Sequence, residues 1–224
     1  MVTGASRGFG KGVAEELVRQ IARVHRLDLV LVARSDSGLQ NAAAAINGIV
    51  DELSVAEQVV VRQESVDLAD MQNLEERLGK LFAGIDPGLY SRAVLVNNAG
   101  SILPICPANA FPSFSVLKDH IDFNVTSCLW LTSHFASLFG AQVSTDCLDK
   151  TTSDERQPVI SDAENAATAS VRSSCKGVIV HVSSLAAVKP FKFWSCYAAG
   201  KAARDMFHRQ ANFCCKKHQR FDLY

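Results

Sequence analysis

Residues 1–10 read MVTGASRGFG, and the placing of Gly4, Gly8 and Gly10 in that run decides the fold. Glycine permits a tight main-chain turn and a close approach by another group. In the pattern G-x-x-x-G-x-G, such a turn joins a buried strand to a helix whose first amide groups face a phosphate. A plain strand-to-helix turn uses the same residue types. The sequence after the turn therefore has to separate the two readings.

It does so by alternation. Val13, Ala14, Leu17, Val18 and Ile21 follow at helical spacing. LDLVLVAR then reads as a buried strand ending near Arg34, and residues 37–53 read as an alanine-rich helix. EQVVVRQ is a short strand, and 70–82 a further helix. RAVLVNNAG is a strand running into a turn, 119–139 one long helix, GVIVHVSS a strand, and 195–217 a helix. Alternating helices and β-branched apolar strands predict an α/β fold: a doubly wound, Rossmann-like parallel sheet covered on both faces. The glycine turn then heads a strand–helix–strand unit, where a nucleotide binds.

The remaining composition narrows function by exclusion. Of 224 residues, 48% are hydrophobic and 21% charged, as in ordinary globular proteins. Lys plus Arg and Asp plus Glu stand at 23 each, so neither a nucleic-acid nor a membrane-surface footprint is present. No apolar run reaches bilayer-spanning length, and Arg7 and Lys11 interrupt any signal-peptide core. The cysteines number seven, without a C-x-x-C pair, and read as free cytosolic thiols, giving a cytoplasmic expectation and no metal site. The six histidines show no ligand spacing either. One domain over 1–224 is expected, with the polar stretch 142–176 as a disordered insertion. A compact domain seldom holds a structureless loop of roughly 35 residues.

Two further features carry chemistry. Arg34 ends the second strand, where an NAD site usually places an acid; a guanidinium there suits a 2′-phosphate and favours NADPH, with Arg7 as a second cation. Asp36 is the dissenting residue, favouring NAD if it points inward. Downstream, Tyr197 and Lys201 stand four apart on one helical face. A phenol titrates near pH ~10, and a neighbouring ammonium lowers that value. A tyrosine so tuned can protonate a carbonyl oxygen as hydride reaches its carbon. Ser184, thirteen positions earlier, ends a strand and can polarise the same oxygen. Phe191 and Trp194 either line an aromatic substrate pocket or serve as packing.

Together TGASRGFG, NNAG, Ser184 and YAAGK resemble the short-chain dehydrogenase/reductase family. Within it, GASRGFG, NNAGS and PFKFWSCYAAGKAARDMF are most similar to the sepiapterin reductase subfamily, NADPH-dependent enzymes of tetrahydrobiopterin biosynthesis. The resemblance implies that Gly4, Ser6, Arg7, Gly8, Phe9 and Gly10 bind the cofactor phosphates and that Arg34 selects NADPH. It puts Asp67 and Leu68 beside the adenine, and Asn97, Asn98, Ala99 and Gly100 in the turn that supports sheet and cofactor. Asn124, Ser184, Tyr197 and Lys201 become a catalytic tetrad, in which Asn124 holds a relay water and Lys201 also binds the nicotinamide ribose. A small carbonyl substrate of pterin type and a homodimer are implied as well. Another ketone or diketone reductase, or an inactive chain acting only by subunit pairing, are the alternatives. Compared with the family, the opening strand is cut to about three residues, which is expected to leave a gap in the sheet. The closing segment, with the subfamily's pterin-anchoring aspartate, is absent. The chain thus reads as truncated at both ends.

Overall fold

The apolar runs form the strands of one parallel sheet, most deeply buried at its centre. In a computed structural model, which describes residues 1–140 and 175–215 (side chains through 210), five strands pair in the order β3-β2-β1-β4-β5. They are β1 (Val2–Thr3), β2 (Leu27–Ala33), β3 (Val59–Ser65), β4 (Arg92–Asn97) and β5 (Lys176–His181), every pair parallel. Side chains alternate across a strand, and β2 shows the result. Leu29, Leu31 and Ala33 enter one core with Val2, Val18, Leu39 and Ile46. Val30 and Val32 enter the other with Leu78, Leu95, Leu131, Phe135 and Ile179. Helices α1 (Gly8–Ile21) and α2 (Asp36–Leu53) cover the first layer; α3 (Leu74–Ala83) and the helix ending at Phe139 cover the second.

The short first strand leaves no break at the sheet centre. Val2 pairs with Leu31 on one side and Val96 on the other. The Met1 carbonyl accepts from Val96 N at 2.9 Å, and the Met1 nitrogen donates to Val94 O at 2.8 Å. Two residues in register therefore suffice to join the β2 and β4 halves.

Two helical expectations need correction. The element expected at 119–139 begins earlier, as α4 (Phe114–Ile121), because Ser113 caps it by accepting from Val116 N at 3.2 Å. It then widens into a π-helical turn, Asp122–Thr126, before α5 (Ser127–Phe139). The third helix starts at Leu74 and not near 70, since Asp70, Met71 and Asn73 are held in turns by bonds to Asp67, Ala69 and Asp70. The last helix, α6, runs over Ser195–Cys215. The insertion expected at 142–176 lies outside the described residues through 174; Lys176 belongs to β5. Among the described residues no helix is long and apolar enough to cross a membrane.

Candidate active site

The carboxyl ends of β1, β2, β4 and β5 gather the residues singled out from sequence. At β1, Gly4 and Gly8 adopt φ +66° and +57°, conformations that favour glycine. Helix α1 starts at Gly8, and its N-cap, Arg7, makes no side-chain capping bond. Its first amides are thus left for an external acceptor. A Cβ on Gly8 would meet nothing within 4 Å, whereas one on Gly10 would press against Gly4 O and lie 2.5 Å from Asn98 Nδ2. The turn is packed tightly behind and open in front, which suits a pyrophosphate. Arg7 and Phe9 are exposed, and Ser6 is half-buried. Arg34 is exposed just past β2. Asp36 is also exposed, in the first turn of α2, which Ser35 caps by accepting from Gly38 N at 3.1 Å. Asp67 follows β3 and accepts from Ala69 N at 3.0 Å; Leu68 is buried in the second core and offers little surface to a ligand.

Next along the sheet, the turn after β4 is tied to β1. Thr3 Oγ1 accepts from Asn98 N and Ala99 N, both at 3.0 Å, and Asn98 Nδ2 donates to Thr3 O at 2.9 Å. Asn97 points into the core and donates to Thr132 Oγ1 at 2.7 Å. Gly100 lies against the π-turn, where a Cβ would be 3.1 Å from Asn124 Oδ1. That oxygen accepts from Ser101 N at 2.9 Å, and Asn124 Nδ2 donates to His120 O at 3.1 Å. Asn124 is 2% exposed; its amide nitrogen is fixed to the preceding helical turn and its oxygen ties the loop after β4 to it.

Opposite this turn, α6 presents Tyr197 half-buried and Lys201 at 4% exposure. Lys201 Nζ donates to Val182 O at 2.6 Å and stands 5.7 Å from the Tyr197 ring centre. Burial, then the charge of Arg204, lowers Lys201 to about 8 from the ordinary 10.5. Ser184 is half-buried and accepts from Ala186 N at 3.2 Å, and the turn it caps packs on α6. The Ser184 turn and the π-turn of Asn124 thus each pack against α6, which carries Tyr197 and Lys201. Trp194 meets Tyr197 edge-on at 6.0 Å and stacks on Phe191 at 5.1 Å. The aromatic trio continues from the tyrosine toward solvent, with Phe191 and neighbouring Phe193 exposed.

Sequence reading missed a polar group beneath the tetrad. His181, Arg204 and His208 are buried or half-buried, and Asp205 bridges Ser183 and His181 at 2.7 and 3.0 Å. The available signal was the i, i+4, i+7, i+11 run of Tyr197, Lys201, Arg204 and His208 on one helix face. Cys128, His181 and His208 place ligand-type atoms within 4.8 Å of one another. This is not a metal centre: His181 Nδ1 faces the Arg204 guanidinium at 3.3 Å, and His208 is held by Arg204 O and Thr132. A resident cation already fills the space.

The two histidines give the fold a pH dependence. Burial, then Arg204, His208 and Lys201, pushes His181 down to about 2; burial also lowers His208. His181 stays neutral in the folded chain well below the pH at which the unfolded chain binds a proton there, about 6.5. Stability contributed here is present above that value and is lost as pH falls toward the folded values. His181→Asn, which keeps an acceptor for Arg204, is expected to remove about one proton of uptake on unfolding between roughly pH 4 and 6. Thermal unfolding across that range measures it, and an unchanged slope contradicts the assignment.

The family model described as short chain dehydrogenase matches residues 1–147 and 158–219. Sepiapterin reductase of Xenopus tropicalis is 32% identical over 213 residues, covering 93% of this chain and 66% of the relative. Benzil reductase ((S)-benzoin forming) of Bacillus subtilis (strain 168) is 26% identical, over 95% of this chain and 65% of the relative. This chain thus spans just under two thirds of these relatives' lengths. A crystal structure of a short-chain dehydrogenase/reductase from Burkholderia vietnamiensis superposes with TM-score 0.63 at 25% identity, over 99% of this chain and 77% of the other. By the match of its family model and the fold that carries its site, the chain belongs to the short-chain dehydrogenase family of oxidoreductases.

Proposed function

We propose that this protein is an NADPH-dependent carbonyl reductase acting on a small pterin-type or other aromatic carbonyl substrate. The observation that carries the reading is the α6 face, where Tyr197 stands beside the buried Lys201 and the Ser184 turn, at the end of the sheet that bears the glycine turn. NADPH supplies hydride when bound. The chain's own residues do the rest. The α1 amides and Gly8 take the phosphates, Arg34 takes the 2′-phosphate, and Lys201 holds the ribose. Ser184 polarises the carbonyl oxygen, Tyr197 Oη gives it a proton, and Asn124 orders the turn and a relay water behind them. The Trp194–Phe191 stack offers a flat apolar wall for an aromatic ring. The relatives named for sepiapterin and benzil reduction support such a substrate, and a cytoplasmic homodimer completes the reading.

Turnover of sepiapterin and of benzil with NADPH, followed at the cofactor's absorbance, tests the proposal. Consumption of neither, by protein that binds NADPH, defeats the substrate class. Cofactor choice has its own test. Arg34→Ser removes one charge-assisted contact and is expected to weaken NADPH binding roughly 10- to 100-fold while leaving NADH binding unchanged. Equal loss for both cofactors would show that Arg34 does not read the 2′-phosphate.

A further inference from the structure

Arg204 is the largest of the fully buried side chains, at 1% exposure, and no carboxylate pairs with it among the described residues. Its neighbour Asp205 turns instead to Ser183 and His181. Its two terminal nitrogens are engaged by main-chain carbonyls and one imidazole, while the buried Nε has no hydrogen-bond partner among the described residues. It donates to Ala99 O at 3.0 Å, Asn97 O at 3.0 Å and Asn124 O at 3.4 Å, and faces His181 Nδ1 at 3.3 Å. These acceptors belong to three separate segments: the turn after β4, the π-turn and the end of β5. Arg204 itself sits on the helix of Tyr197 and Lys201, seven and three residues along the same face.

A buried guanidinium without a counter-ion is costly, and a hydrophobic side chain would pack this place more cheaply. What only a planar five-donor fork can do is hold several carbonyls at set positions at once. We infer that Arg204 is a positioning residue for the reduction, clamping the β4 turn and the Asn124 turn to the Tyr197–Lys201 helix. This rests on the reductase reading above. The clamp also brings a fixed charge to Lys201, whose other ionisable neighbours are Tyr197 and Asp205 on α6, Cys128 on α5 and His181 on β5.

Two substitutions separate fork from charge. Arg204→Lys keeps the charge and loses the fork; Arg204→Met loses both. With sepiapterin or benzil and NADPH, kcat is expected to fall roughly 100-fold in both, as for a displacement of about 1 Å at a reacting centre. The KM for NADPH should change much less. The alkaline limb of the pH–rate profile should stay in place in Arg204→Lys and move upward in Arg204→Met, because Lys201 then loses a cationic neighbour. Amide hydrogen exchange should quicken in both variants at 97–101 and 122–126. Wild-type kcat in a folded Arg204→Lys protein would overturn the inference, and that variant decides alone if Arg204→Met does not fold. If the wild-type protein reduces neither substrate, the reductase reading fails, and the exchange data alone decide the clamp: unchanged protection in both segments overturns it.

Discussion

Tyr197→Phe is expected to lower kcat for carbonyl reduction by roughly 10²- to 10⁴-fold, the usual worth of one positioned acid, with NADPH affinity nearly unchanged. The substitution deletes one oxygen and keeps the ring that meets Trp194 edge-on at 6.0 Å, so its packing cost is small. The loss would therefore report the missing proton and little else. Among the described residues no other hydroxyl nearby is placed to substitute. Ser184 is assigned to hydrogen-bond the carbonyl oxygen, and a serine hydroxyl is a far weaker acid than a phenol; Ser183 Oγ is turned to Asp205. Lys201 Nζ gives one of its three donors to Val182 O and is an amine, not a hydroxyl. Steady-state rates and cofactor titration on the same sample check both halves. Turnover within threefold of wild type would remove Tyr197 from the chemistry and leave the fold assignment standing.

The fold was legible because its signals are local and redundant. LDLVLVA is apolar at every second position on both registers, apart from Asp28, and the structure feeds it into two cores. The glycine turn was legible because a positive φ at Gly4 and Gly8 admits few other residues. Lys201 and Tyr197 share a helical face by spacing alone. The π-turn at Asn124 was not legible, since one additional residue in a helical turn leaves the apolar period nearly intact. Arg204 was hidden for a different reason. An arginine beside an aspartate in KAARDMF carries no mark of burial, and only the assembled sheet shows that its acceptors come from residues 97, 99, 124 and 181. Contacts between distant segments leave no periodic trace in a single chain.

Gly10→Ala is expected to abolish NADPH binding and destabilise the fold by about 1–3 kcal/mol or more, the range for forced overpacking. Helix propensity alone points the other way, since alanine outranks glycine by about 1 kcal/mol in a helix interior. The contacts decide against propensity here. The new methyl group would be driven against Gly4 O and Asn98 Nδ2, and Gly4 carries the β1–α1 turn that has to face the phosphates. Asn98 cannot yield freely, because the same nitrogen donates to Thr3 O and so fastens the β4 turn to β1. One methyl group would thus push two site loops apart. Gly12, two residues along the same helix, is exposed, and a Cβ there meets nothing within 4 Å. Gly12→Ala should accordingly stabilise by up to about 1 kcal/mol with binding intact. Urea unfolding and NADPH titration of the two variants side by side separate propensity from crowding. A Gly10→Ala protein as stable as Gly12→Ala, with wild-type affinity, would mean that α1 does not approach the β4 turn as closely as described.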